Sequence, residues 1–403
     1  MATRDARGTE VLIVGGGIAG CSAAFHLARL GHVVTLVERG DIAGAASGLN
    51  AGLIDCVGWS HRRDLHDHLT AGSVEIFEEV QLDEGEDVEF RRSGSLQAIH
   101  TPEQYEYTHK RVADLQAQGQ RVELLTTREA RTLEPGFSSA LLGAMYSPLR
   151  AQADPVKGTR AFATLATRQG ARISTGRTVT ALSPRAGGGW SVRIPEGTVE
   201  ADILVLAAGA WCAALGAMLG LDIPIVPVRG QMWATAPVAP GVFQTISAAE
   251  SAHDWARTPP TDPPNLTIRD GRRLTRHLYG RQRRNGEIIF GGDRECVGEN
   301  TTPDPAGIEV NRAHAASVLP FLHDVPIART WAGLMPFPRD GKPLIGRLPG
   351  HEHLWIVSGL ASSGFGRGPM AGKLLAESVH VGVPLPILAE ADPTGRVRPA
   401  RSR

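Results

Sequence analysis

The chain has 403 residues, more than one hydrophobic core usually organises, which predicts two domains or one interleaved pair and excludes a small stapled scaffold. Its 42 Lys and Arg balance its 42 Asp and Glu, so no long-range field invites nucleic acid or an anionic membrane, and any partner must be chosen locally. A hydrophobic content of 42% supports a sizeable core, while 47 Gly and 27 Pro imply many turns and close backbone approaches. Cys21, Cys56, Cys212 and Cys296 lie far apart without a Cys-x-x-Cys pair, which disfavours a structural zinc site, a dithiol centre or a disulfide framework and predicts a reducing compartment. The polar start, Met1 to Glu10, and the short glycine-broken apolar run after it suit neither a signal peptide nor a membrane span, so a soluble, cytoplasmic protein is expected.

Taken in chain order, Val11-Leu12-Ile13-Val14 reads as a strand, Ile18 to Leu30 as a helix stopped by Gly31, and Val33 to Glu38 as a second strand: a βαβ opening. Residues 60 to 145 are more polar, with helices predicted around Leu65 to Val80 and Pro102 to Gln118 in an excursion away from the first sheet. A meander follows near Arg177 to Leu182 and Trp190 to Ile194. Asp202 to Gly209 then has the continuous apolar run of a buried parallel strand ending in a glycine turn. A second excursion, from about 224 to 325, contains the proline-rich Thr258 to Pro264, expected as an exposed loop or lid. The chain returns with Leu354 to Gly359, a glycine-rich turn and an amphipathic helix from about Met370 to His380. Residues 386–403 are charged and proline-punctuated, the composition of a disordered tail.

Gly15-Gly16-Gly17-Ile18-Ala19-Gly20 fits G-x-G-x-x-G between a strand and a helix. Gly15 permits the tight turn, Gly17 lets the backbone approach a pyrophosphate, and Gly20 lets helix and strand pack closely. The helix N-terminus then offers free N–H groups and the positive dipole end to phosphate. Glu38 ends the next strand, where a carboxylate can accept hydrogen bonds from a ribose diol. Up to this point FAD and NAD both satisfy the pattern.

Three features select FAD. Gly44 to Gly52 offers small residues and backbone N–H groups for a second approach to the cofactor. Ala207-Ala208-Gly209-Ala210-Trp211 is similar to the turn that closes over the adenine half in flavoproteins. Gly359 to Pro369 runs into a helix whose N-terminus can stabilise the negative charge that develops at a flavin's pyrimidine edge on reduction.

The order of these blocks resembles the D-amino acid oxidase superfamily of FAD-dependent amine and amino-acid oxidoreductases, in particular its glycine oxidase and sarcosine oxidase branch, over about residues 9 to 382. Further matching blocks are Gly94-Ser95-Leu96, Asp154-Pro155, Pro227 to Gln231, Gly286 to Gly292, Trp331 to Pro336 and Asp340 to Gly346. The resemblance implies an α/β chain, α+β overall, with a Rossmann-like FAD-binding domain of glutathione reductase/PHBH-type topology and an inserted antiparallel-sheet substrate domain. The corresponding division assigns 1–80, 146–223 and 326–385 to a discontinuous FAD-binding domain, and 81–145 with 224–325 to the substrate-binding domain. Implied cofactor contacts are Gly15, Gly17, Ile18, Ala19, Gly20, Glu38, Arg39, Ala46, Ser47, Asn50, Ala51, Gly52, Val179, Ala208, Gly209, Trp211, Gly333, Ser362, Ser363, Gly364, Phe365 and Gly366.

In this family the substrate lies between the flavin and the second domain's sheet, and oxidation of the C–N bond by hydride transfer to flavin N5 gives an imine that hydrolyses. Tyr279 stands where the branch has its substrate-side tyrosine; the plainer reading of Tyr279 is a sheet tyrosine with a satisfied hydroxyl. Many amino-acid-oxidising relatives carry an arginine in the Gly-Leu-Arg-Pro block, where it can pair bidentately with a carboxylate, but here that position is Met335, an adaptable apolar wall. Ser362 and Gly366 stand at the positions of a second basic residue in some relatives. Arg367 is close in sequence but stands among the first helical positions, where it is expected to point away, so a small free α-amino acid is disfavoured unless Arg281, Arg283 or Arg294 supplies the charge from the sheet; Tyr279, Met335 and Arg283 form the expected catalytic set. Bulkier amines, N-substituted amino acids or a partner-bound substrate suit this departure.

Fourteen histidines show no metal-ligand spacing, and His66 and His68 read as solvent-facing, so no metal is expected. No cysteine is near Met335 in sequence, which predicts noncovalent FAD. The absence of G-x-S-x-G disfavours a serine hydrolase, and a second G-x-G-x-x-G for NADPH is missing. Expected partners are a small amine or amino acid, with O2 or a redox partner as electron acceptor. Two other readings stand beside the oxidase: the FAD subunit of a multi-component dehydrogenase, and a non-catalytic flavin-binding scaffold.

Overall fold

The computed structural model describes residues 9–54, 64–250, 252–253, 267–269 and 271–400; Cys56 and the proline-rich Thr258 to Pro264 lie outside them. The first sheet has six strands in the order Leu344–Arg347, Leu354–Ser358, Ile203–Leu206, Glu10–Val14, Val33–Val37 and Arg172–Ser174. All neighbours are parallel except Leu344–Arg347, which runs against Leu354–Ser358. Ile203–Leu206 is buried at every position, the burial its continuous apolar run predicts for a central parallel strand. The chain leaves Glu10–Val14 to one side through Val33–Val37 and reaches the other side through Ile203–Leu206. The carboxyl end of Glu10–Val14 is therefore a topological switch point, where open α/β sheets place their ligands.

Helices, Pro155–Arg168 among them, cover one face of this sheet. The first, Ile18–Arg29, packs against the closing helix, Gly364–Val381, and both join Phe25, Phe77, Phe162 and Leu375 in one core. The closing helix starts well before the predicted Met370, although Pro369 lies inside it. Two serines bracket the proline turn: Ser22 Oγ donates to the Pro369 carbonyl at 2.6 Å, and Ser73 Oγ accepts the Met370 N–H at 3.1 Å. Helix Asp64–Leu82 belongs to this same core rather than standing away from the sheet, because Leu65, Leu69 and Phe77 face inward.

The second sheet has ten strands, drawn from residues 95–147, 225–295 and 327–338. It is antiparallel apart from one parallel pair, Ser95–Ile99 with Thr245–Ala248. Ile327–Pro338, which the sequence division places with the cofactor domain, pairs along its length with Ile225–Thr235 in this larger sheet.

The tail corrects the expectation of disorder through residue 400. Pro386–Ala391 forms a 3-10 turn with Leu388 and Ala391 buried, and Arg398–Pro399 pairs with Leu221–Asp222. Arg396 clamps the return by donating to Asp340 Oδ1 and Oδ2 at 2.8 and 2.7 Å and to the Lys342 carbonyl at 2.6 Å. Few apolar residues suffice because each lands in an existing core.

Candidate functional site

A cavity of about 710 Å³ opens at the switch point and extends between the two sheets. Its dinucleotide end is built by the glycine turn. Gly15 has φ +122°, and a Cβ there would stand 2.4 Å from the Ala207 carbonyl oxygen. Gly20, behind the lining, has room only for hydrogen, since a Cβ would meet the Gly15 carbonyl oxygen at 2.1 Å. Glu38 is oriented by the loop itself: Gly16 N–H donates to Oε2 at 2.7 Å and Gly40 N–H to Oε1 at 2.8 Å. Each carboxylate oxygen retains acceptor capacity for a hydroxyl.

Two helix N-termini converge on the same space, through Ile18 and Ala19 of the first helix and Ser363 to Gly366 of the closing helix. Neither has an acidic residue in its first turn, and neither N-cap side chain caps it. The electropositive ends are thus left for a ligand's negative charge. Ser47 Oγ accepts the Ile18 N–H at 2.9 Å, so this serine closes part of the first helix end. At the rim, the Arg39 guanidinium lies 3.9 Å from the Trp211 ring centroid, and both line the cavity with Val179, Ala208 and Gly209. Ala361, just before the closing helix, is held at φ +49°, a costly conformation for alanine that packing around the cavity must maintain.

Ala46, Ser47, Asn50, Gly333 and Met335 also line the cavity. Ala51 and Gly52 do not; they form the wall behind it. The Ala51 carbonyl accepts from Arg281 Nε, and the Gly52 N–H donates to Asn50 Oδ1 at 2.7 Å. Trp331 Nε1 donates to the Leu49 carbonyl at 3.0 Å, so the segment is gripped from the second sheet at two points.

The other end of the cavity belongs to that second sheet. Tyr279 lines it, opposite Gly291 and Ser247 in the strand register. Gly292, at φ +113°, makes room for the ring, because a Cβ would lie 2.4 Å from Tyr279 Cδ1. Burial pushes the Tyr279 hydroxyl up to about 12, against Arg294 and a backbone hydrogen bond from Ala51. Met335, Ala361 and Cys296 all pack against the cluster of Val228 and Phe337, and Cys296 lies outside the cavity lining.

Of the three arginines considered from sequence, only Arg294 lines the cavity. Arg283 is corrected: it is ion-paired to Asp154 and to Glu287, the latter at 2.7 Å, and lies outside the lining. Asp154 serves structure twice, since its carboxylate also caps Pro155–Arg168. Arg281 is a strut, donating to Gln152 Oε1 at 2.9 Å and to the Ala153 carbonyl at 3.0 Å. Arg294 Nη2 donates to Ser362 Oγ at 2.9 Å. Burial lowers Arg294 to about 9, which leaves it cationic at neutral pH.

Arg150, His277 and Ser247 complete this end and carry no short-range sequence signal. His66 is half-buried rather than solvent-facing, and burial followed by the charge of Arg367 lowers it to about 4; His68 is exposed. Among the described residues, no group of three or more His, Cys, Asp or Glu is placed to hold a metal ion, and no helix is long and apolar enough to cross a membrane.

A glycine turn at a switch point, an acid oriented beside it and two helix ends without acidic first turns define a dinucleotide-binding oxidoreductase fold, and these residues fit FAD. The family model described as FAD dependent oxidoreductase, DAO, matches residues 10–378, and the chain belongs to that family: it is an FAD-dependent amine or amino-acid oxidase or dehydrogenase. It is 26% identical to a glycine oxidase of Bacillus licheniformis over 92% of each chain. It is also 26% identical to the mitochondrial dimethylglycine dehydrogenase of Rattus norvegicus, over 95% of this chain and 44% of that protein. The crystal structure of glycine oxidase from Geobacillus kaustophilus shares the fold, with a TM-score of 0.83 at 24% identity, covering 96% of this chain and 99% of that one.

Proposed function

We propose that the chain oxidises the C–N bond of an amino or imino acid to an imine, which water hydrolyses to a carbonyl product and an amine. The carrying observation is one cavity running from the dinucleotide turn to a buried cation and a tyrosine on the second sheet. When bound noncovalently, FAD supplies the two-electron acceptor for this oxidation. Gly15, Gly17, the two helix ends, Glu38 and Arg39 would hold it.

The chain's own residues have three tasks. Arg294 and the Ser362 hydroxyl bind a substrate carboxylate, replacing the arginine that Met335 displaces. Met335 and the apolar groups around it exclude water from the reacting carbon. The positive charge of Arg294, with burial, opposes protonation of the amine, so the nitrogen lone pair is available. Tyr279 fixes orientation from the side held by Ala51.

An anaerobic screen of D-, L- and N-methyl amino acids, following flavin absorbance, tests the reaction: bleaching is expected, and its absence with every compound would remove the reading. Peroxide yield against dye reduction then decides whether O2 or a redox partner takes the electrons, the reaction of a dehydrogenase being favoured by dye reduction without peroxide. Tyr279→Phe should raise KM about three- to tenfold with kcat little changed, the effect of losing one orienting hydroxyl. Unchanged KM and kcat would leave Tyr279 as a sheet residue only.

A further inference from the structure

Behind the cavity wall, two arginines converge on one neutral side chain. Gln152 Oε1 accepts from Arg281 Nη1 at 2.9 Å and from Arg91 Nη2 at 3.1 Å. Arg281 has two further neutral acceptors, the Ala51 carbonyl at Nε and the Ala153 carbonyl at Nη2, the latter at 3.0 Å. The residue is 1% exposed. The acids whose charge it feels are engaged with other cations, Asp154 with Arg283 and Glu89 with Lys157, the second pair at 2.9 Å. Burial, opposed by Asp154, lowers Arg281 to about 10, which leaves it cationic at neutral pH.

Gln152 is itself fully buried, and its Nε2 has no hydrogen-bond partner. Nothing in the fold therefore uses the donor half of this amide, and a glutamate of the same shape would answer both guanidiniums with stronger, charge-assisted bonds. The amide satisfies the geometry of Arg281 without setting a negative charge beside it. In a buried site that charge acts much further than it would in water.

The charge stands next to the cofactor wall. Arg281 grips the Ala51 carbonyl, and Leu49, Asn50 and Leu53 on either side line the cavity. Leu53–Ile54 pairs with Ala151–Gln152, so the wall and the amide belong to one two-stranded ribbon. Tyr279, two residues before Arg281 on strand Tyr279–Gln282 and hence on the same face, lines the cavity as well.

We propose that Arg281 is a positioning residue that tunes the bound cofactor: held by Gln152 and the Ala51 carbonyl, its buried charge stabilises the negative charge a flavin ring acquires on reduction, and the neutral Gln152 keeps that charge from being cancelled. It acts through the wall at Ala51, as a preorganised charge costs nothing to orient when the electrons arrive. The role concerns the electron affinity of the cofactor and holds whichever amine is oxidised.

Stepwise dithionite reduction of the FAD-loaded protein, without substrate and beside a dye of known potential, reads the reduction equilibrium. Gln152→Glu keeps the shape and the hydrogen bonds but cancels the charge; it should shift the equilibrium toward oxidised flavin by about tenfold, about 30 mV for two electrons, with flavin content retained. Arg281→Lys, which keeps the charge and loses the fork, should stay within about threefold of wild type, whereas Arg281→Met should shift by at least about tenfold. An unchanged equilibrium in Gln152→Glu overturns the proposal. So does an equal shift in Arg281→Lys and Arg281→Met, the pattern of a strut whose charge is idle. If Gln152→Glu does not fold, the lysine and methionine variants decide alone. Bleaching by amines is read separately, and its absence removes the proposed oxidation while leaving this inference standing.

Discussion

Gly15→Ala is expected to emerge from purification with less than about a tenth of the flavin carried by the wild-type protein and to unfold at lower temperature. The added Cβ meets backbone on the neighbouring strand, 2.4 Å from the Ala207 oxygen and 2.9 Å from Ala208 Cα, and it must do so at φ +122°. Overpacking and the disallowed backbone each cost about 1–3 kcal/mol, and the loop can relieve them only by leaving the geometry that receives a pyrophosphate. Gly31→Ala is the control: φ is +87°, nothing lies within 4 Å, and the position is outside the cavity. That variant should lose about 1 kcal/mol of stability with flavin content unchanged. The ratio of flavin to protein absorbance and a thermal melt of each variant read both effects, and full flavin content in Gly15→Ala would contradict the assigned role of the turn.

Acid should destabilise the fold steeply between pH 7 and pH 5, before most carboxylates are protonated. Burial, followed by Lys373 and Arg29, lowers His26 to about 3, and burial lowers His66 and His100 to about 4; His277 is shifted the same way. The folded state therefore keeps these imidazoles neutral while the unfolded chain binds protons near pH 6.5. Stability is fully present above that pH and is lost as pH falls through this window, because the unfolded state binds more protons. His26 alone accounts for about 2 kcal/mol at pH 5, at about 1.4 kcal/mol per pH unit. Urea titrations at pH 7, 6 and 5 should show the midpoint falling, and His26→Phe or His26→Leu should flatten the slope. A midpoint independent of pH in this range would sink the account.

The opening βαβ unit and its cofactor are legible in sequence because their signals are local: an apolar run, three glycines at fixed spacing, a terminal acid. The long excursions are harder. Helix Asp64–Leu82 has the polarity of a surface element, yet Leu65, Leu69 and Phe77 bury it in the first core. The tail after residue 386 looks solvated because few of its residues, Leu388, Ala391 and Val397 among them, are buried apolar anchors. Which arginine reaches the substrate end is invisible to pattern reading. Arg281, Arg283 and Arg294 share one short stretch, but partners from residues 51, 152 and 154 turn two of them into struts. Arg150 and His277 gain their place only when strands distant in sequence pair. Met335, by contrast, is informative as a departure: it predicts that charge must come from elsewhere, and Arg294, on strand Ile288–Glu295, lines the cavity.

The segment from Leu49 to Gly52 has the cavity lining on one side and is held by Trp331 and Arg281 on the other. Any free energy gained when a ligand at the sheet end tightens this wall is thermodynamically reciprocal: occupancy there strengthens cofactor retention by the same factor by which bound cofactor strengthens occupancy. The equilibrium dissociation constant of the flavin would then report on substrate analogues that never react.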